Sequence, residues 1–180
     1  FISRRQKTKR TSSISPLILT NNCLSSPCSF KNQITAVLSR EMRVYCIQAD
    51  LEWENKETNF LKVSSLLKGK KIQPESLIIL PETFSTGFSM RLEVTADKEP
   101  RHTETFLAEI AKQKKCWVTG GFIQPSKRGD RGVNRSVTFS PLGERIGSYA
   151  KIHPASIYEE EKFHNPGNKV EVFSLGQFLA

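Results

Sequence analysis

The sequence predicts an α/β protein of the α+β type, a mixed sheet covered by helices on one face. Three observations carry this. Residues 42–180 read in the order strand, helix, strand, helix, strand, strand, strand, so crossover units give way to a meander. The run Ser76–Leu80, SLIIL, is almost continuously apolar and is stopped by Pro81, the pattern of an interior strand covered on both faces. The last three strands are joined by the turn-rich stretches KRGDRG and PLGE, which suit antiparallel neighbours.

Element by element, Arg43–Leu51 places Val44, Cys46 and Gln48 on one side and Tyr45 and Ile47 on the other, a mostly buried strand. A helix follows, with Asn55 as N-cap, Phe60, Val63, Leu66 and Leu67 on one face, and Lys62 and Lys68 toward water. After the SLIIL strand, residues 101–115 return to helix. Phe106, Leu107, Ile110 and Ala111 form its apolar stripe, and Lys112, Lys114 and Lys115 sit near its C-terminus, where the helix dipole favours cations. The strands Cys116–Gln124, Val133–Pro141 and Glu144–Ile152 complete the sheet.

Charge divides the chain in two. The 180 residues carry 27 Lys+Arg against 18 Asp+Glu, net +9. Residues 1–41 hold seven basic side chains, one acid and twelve Ser/Thr, net +6, which leaves +3 for residues 42–180. That first segment reads as a disordered basic Ser/Arg-rich leader, since it cannot bury enough surface to offset its ordering entropy. It has the composition of a mitochondrial or plastid transit peptide, or it is read through from upstream of a natural start at Met42. The folded domain is expected over 42–180.

Several function classes drop out. No apolar run approaches the roughly 18 residues a membrane helix needs. Cys23, Cys28, Cys46 and Cys116 contain no CxxC pair, and read as reduced thiols in a cytoplasmic protein, or an organellar one if the leader is a transit peptide. Cys23 and Cys28 lack a second ligand pair, and His102, His153 and His164 are scattered, so no metal site is expected. Arg128-Gly129-Asp130 reads as a polar turn, and the sequon Asn134-Arg135-Ser136 falls inside a strand. Basic residues interleaved with aromatics, the mark of a nucleic-acid surface, are missing from residues 42–180.

Two positions place charge where the local pattern is apolar. Glu82 follows Pro81 at the end of the SLIIL strand, with Phe84 and Phe88 on the glycine-containing loop behind it. Burial by those aromatics would raise its pKa toward that of a general base; a solvated loop carboxylate is the competing reading. Lys151 ends the last strand, where an ammonium either stabilises an oxyanion or snorkels to the surface.

The pairing of LIILPETFSTGFSM with SYAKIHPASIYEEEKFHNPGN resembles the nitrilase, or carbon-nitrogen hydrolase, superfamily. The resemblance covers residues 42–175 and implies an α-β-β-α sandwich, of which this chain would supply roughly the N-terminal half. It matches Glu82 to the family's general-base Glu and Lys151 to its catalytic Lys. Glu160, in the run Glu159-Glu160-Glu161, falls where the family has a supporting Glu. Asn134 and Gly143 match its strand-turn-strand, and Gly120-Gly121 its strand after the second helix. Phe84, Gly87, Phe88 and Met90, together with IQADLEWENKETN, look most like the omega-amidases. These hydrolyse the terminal amide of small substrates such as 2-oxoglutaramate, and Phe84 and Phe88 become substrate-pocket candidates. The resemblance further implies a thioester mechanism, no cofactor and a homodimer. The family's nucleophilic Cys lies after the Pro-Gly-Asn region, and no Cys follows Lys151. The sequence therefore reads as an inactive fragment of an amidase. Nitrile or N-carbamoyl amine hydrolysis, or a non-catalytic binding or oligomerisation module on the same fold, are the alternatives.

Overall fold

The computed structural model describes residues 13–20 and 41–180. Strands β1 (Ser13–Thr20), β2 (Glu41–Gln48), β3 (Leu77–Ile79), β4 (Trp117–Pro125), β5 (Gly132–Phe139) and β6 (Arg145–Ala150) form one sheet in chain order. Strands β2, β3 and β4 run parallel, whereas β1 joins β2, β5 joins β4 and β6 joins β5 as antiparallel neighbours. The sheet is therefore mixed, as the element order predicts.

Helix α1 (Lys56–Leu67) links β2 to β3, and α2 (Leu92–Thr95) and α3 (His102–Lys114) link β3 to β4. Parallel crossovers that step the same way across a sheet, each right-handed, place their helices on one face. The Asn55 side chain accepts the Thr58 N–H at 3.0 Å, closing the first turn of α1. The start of α3 is held by Asp97, which accepts from the Thr103 N–H and hydroxyl at 3.1 and 2.8 Å and pairs with Lys56 at 3.1 Å.

Between helices and sheet lies the main core. Tyr45, Ile47, Val63, Leu67, Ile78, Phe84, Leu107, Ile110, Val118, Phe122 and Val137 are buried there. The opposite face is more thinly covered. Met42, Val44 and Leu175 form a small apolar layer beneath the hairpin of β7 (Ser174–Leu175) and β8 (Phe178–Leu179). Cys46 remains exposed, so β2 is buried toward the helices only in its second half, at Tyr45 and Ile47, and on the other face only near its start, at Met42 and Val44.

Strand β1 lies within residues 1–41, the segment the sequence reads as a disordered leader. Its eight residues pair along the whole of β2, with Pro16 opposite Tyr45. Proline normally argues against a strand but is tolerated on a sheet edge, where its missing donor faces outward. The rest of the leader, with Cys23 and Cys28, lies outside the described residues. The sequence also left unassigned the short α2, a 3-10 turn at Ser156–Tyr158, α4 (Glu160–Phe163) and the β7–β8 hairpin. All are four residues or fewer, too short for periodicity to register. No helix among the described residues is long and apolar enough to cross a membrane.

Candidate functional site

Glu82 reaches the site through an abrupt turn after β3. Leu80 donates its N–H to Thr119 O at 2.8 Å, and Phe84 donates to Gly121 O at 3.1 Å. Thr83 between them has φ 46°, a conformation that a β-branched residue adopts only where its surroundings impose it. The turn lies directly on β4: a Cβ at Gly121 would stand 3.0 Å from both Glu82 Cα and Thr83 N. Glycine at 121 thus lets the Glu82 backbone rest on the neighbouring strand.

Lys151 follows β6 and is fixed by its backbone. Its N–H donates to Asn134 O at 2.9 Å, and its carbonyl accepts from Gly167 at 2.8 Å. Its ammonium stands 2.9 Å from Glu82 Oε1 and 2.8 Å from Glu160 Oε2, 5.0 Å from the centre of the Phe88 ring. Asn134 ties the same two carboxylates together, its Nδ2 donating to Glu82 Oε1 at 2.7 Å and to Glu160 Oε1 at 2.9 Å. Ala155 N–H reaches Glu160 Oε2 at 2.7 Å, and His164 Nδ1 lies 3.1 Å from Glu160 Oε1.

The structure thus brings Glu82, Lys151 and Glu160 together, in unequal surroundings. Of the three consecutive glutamates only Glu160 is buried, at 0% exposure. Burial alone would raise its pKa, but the hydrogen bonds from Asn134, Lys151, Ala155 and His164 outweigh it and lower the pKa to about 2. Burial likewise works against the Lys151 ammonium, yet Glu160 and Glu82 together raise its pKa above the ordinary lysine value. Near neutrality Glu160 is therefore a fixed negative charge and Lys151 a fixed positive one. The Glu82 side chain, 52% exposed, is the acidic member open to a ligand. It lies in a cleft of about 280 Å³ on the face away from the helices, lined also by Ile79, Thr119, Asn134, Tyr149 and Lys151.

The two aromatic candidates separate. Phe84 is fully buried, its ring 6.1 Å from those of both Phe60 and Phe106 in the helix layer. This corrects its reading as a substrate-pocket residue: the Thr83 turn sends it to the opposite side from Glu82. Phe88 does reach the site, edge-on to Tyr158 at 5.5 Å and over the Lys151 ammonium. Neither aromatic encloses Glu82, contrary to the expectation of a desolvated carboxylate.

Asn134, His164 and Tyr158 make contacts that sequence reasoning missed. Asn134 carries a signal, being an amide on a strand whose buried neighbours are largely apolar, but the sequon that contains it draws attention elsewhere. His164 lies four residues after Glu160, the spacing that brings two side chains to one helix face. Among the described residues no group of three or more His, Cys, Asp or Glu is placed to hold a metal ion.

Neither described cysteine lines the cleft. Cys116 is buried, its thiol donating to Gln73 O and Lys114 O at 3.3 and 3.2 Å, and burial raises its pKa. Cys46 is exposed. Iodoacetamide added to the native chain is therefore expected to alkylate Cys46 and spare Cys116 until denaturant is added. Mass mapping of the peptides checks this; equal labelling of both would contradict the burial.

Carbon-nitrogen hydrolase is the family that matches, over residues 43–178. A nitrilase of Pyrococcus abyssi is 35% identical over 141 residues, covering 75% of this chain and 52% of that protein. The omega-amidase NIT3 of Saccharomyces cerevisiae is 28% identical over 148 residues, covering 74% and 51%. The crystal structure of XC1258 from Xanthomonas campestris, a CN-hydrolase superfamily protein, superimposes with a TM-score of 0.68 at 21% identity over 77% of this chain and 51% of that one. The chain thus spans about half the length of the curated relatives it matches. A match running from β2 to the final hairpin, with the same fold in a solved structure, makes this chain a member of the carbon-nitrogen hydrolase family.

Proposed function

We propose that the site hydrolyses the terminal carboxamide of a small omega-amide, such as 2-oxoglutaramate, to acid and ammonia. The observation that supports this most is the single Lys151 ammonium held between an exposed Glu82 and a buried Glu160. Glu82 takes the proton of a cysteine thiol, and the sulfur attacks the amide carbon. In this reading the thiol belongs to a cysteine other than Cys46 and Cys116, neither of which lines the cleft. Lys151 donates to the tetrahedral oxyanion; a donor of this kind contributes about 3 kcal/mol in comparable sites. The C–N bond breaks, Glu82 returns its proton to the leaving ammonia, and a thioester remains. Glu82 then takes a proton from water, whose oxygen attacks the thioester. The C–S bond breaks and the thiol recovers its proton as the acid departs. Glu160 exchanges no proton; it holds Lys151 charged and in place.

The test uses the protein expressed from the reading frame that contains this sequence, with ammonia release measured on 2-oxoglutaramate. Glu82→Gln is expected to lower kcat by about 10²–10⁴-fold, the usual contribution of a positioned acid or base. The relative from Pyrococcus abyssi supports nitrile hydrolysis as a second reading, and turnover of nitriles but not amides would select it. A reading frame without a Cys after Lys151 would remove both and leave a non-catalytic module.

A further inference from the structure

His164 is 1% exposed and sits where the chain after α4 returns to the sheet. Its N–H donates to Glu160 O at 2.8 Å, its carbonyl accepts from Arg131 Nη2 at 3.1 Å, and Asn165 donates to Gly132 O at 2.8 Å. These contacts pin the backbone on both sides of the ring. The ring itself lies on β5: a Cβ at Gly132 would come within 2.7 Å of His164 Cδ2, and as close to Ile123 Cγ2. The imidazole thus lies directly against the glycine backbone, and any side chain at 132 would displace it.

Its two nitrogens have opposite surroundings. Nδ1 faces Glu160 Oε1 at 3.1 Å, whereas Nε2 is buried with no hydrogen-bond partner. Glu160 is ionised and can only accept, so the proton of a neutral ring belongs on Nδ1. A bare nitrogen at Nε2 leaves one lone pair unused, while a proton there would bury an unpaired donor at greater cost. The charged groups around this pair are Glu160, Lys151 and, through Asn134, Glu82, with Arg131 on the backbone side.

We propose that His164 is a positioning residue: its Nδ1–H fixes Oε1 of Glu160, so that Oε2 holds the Lys151 ammonium toward Glu82. The four donors to Glu160 divide evenly, Asn134 and His164 on Oε1, Lys151 and Ala155 on Oε2. Loss of His164 leaves Oε1 with one donor and frees the carboxylate to rotate about its last torsion, taking the ammonium with it. The catalytic meaning of this rests on Lys151 being the oxyanion donor proposed above; the placement itself does not.

The test is NMR on the 180-residue chain with ¹⁵N-labelled histidine and lysine and ¹³C-carboxyl glutamate. His164 is expected to carry its proton on Nδ1 with Nε2 bare. His164→Phe is expected to raise the Glu160 titration midpoint by about one pH unit and to speed exchange of the Lys151 Nζ protons. His164→Asn, whose Nδ2 falls near the place of Nδ1, is expected to restore both. A proton found on Nε2 alone overturns the proposal. So does a His164→Phe chain with native circular dichroism in which Glu160 and Lys151 behave as in the parent. Where the Phe variant does not fold, the tautomer and the Asn variant decide. None of these signals depends on amide turnover, so failure of the proposed activity and failure of this placement are read separately.

Discussion

Glu160→Ala is expected to destabilise the chain by roughly 3–5 kcal/mol, the range for removing one partner of a buried charged pair. The carboxylate is fully buried and accepts from Asn134, Lys151, Ala155 and His164. Alanine leaves the Ala155 N–H and His164 Nδ1 without their acceptor, and Asn134 Nδ2 and Lys151 with only the half-exposed Glu82. Against the roughly 5–15 kcal/mol that holds a typical domain folded, this is a large fraction. The same residue sets a pH signature. Its pKa falls from 4.5 unfolded to about 2 folded, so the unfolded state binds the proton first as pH drops. The stabilisation is complete above pH 4.5 and is lost as pH falls from there through 2. Urea midpoints of the parent and the Ala variant should therefore converge over that window. A gap that stays constant down to pH 2 would show that Glu160 is not held as described.

Phe84→Ala is expected to cost about 3–5 kcal/mol, the range for emptying a buried aromatic position. Phe84 is 0% exposed and packs against the stacked pair Phe60 and Phe106, 4.3 Å apart, its own ring 6.1 Å from each, with Leu107 in the same core. Its neighbours come from both long helices and from β4, so no single element can move in to fill the gap. Phe88→Ala provides the contrast. That ring is partly exposed and touches Tyr158 and the Lys151 ammonium, so its loss should cost no more than about 1 kcal/mol of stability. Denaturant melts of the two variants check the difference; equal losses would place Phe84 outside the core.

The long elements were legible because burial repeats along them. Tyr45 and Ile47 on β2, Val63 and Leu67 on α1, and Leu107, Ile110 and Ala111 on α3 are all buried where spacing places them. Glu82, Lys151 and Glu160 could be named from the order of their motifs, but nothing in spacing says that an asparagine on β5 joins the two glutamates. That relation arises from register, which sets Asn134 opposite Ile123 on β4 and one strand away from the end of β6. The direction of Phe84 was lost for a more local reason. Alternation along a strand fails at the first residue with positive φ, here Thr83, and the sequence does not mark it with a glycine. Strand β1 was hidden by composition, since edge position rather than apolar periodicity accommodates its proline.

The Thr83 turn also limits how this protein can change. Glu82 and Phe84 are two residues apart, one in the cleft and the other anchoring the helices, with a conformationally constrained threonine as the only joint. A substitution that repacks α1 against α3 therefore moves the lever at whose other end the carboxylate sits, and a ligand that draws on Glu82 pulls against the helix layer. Selection for thermal robustness and selection for a new substrate would act here on the same three residues, and a gain in one is tied to an adjustment in the other.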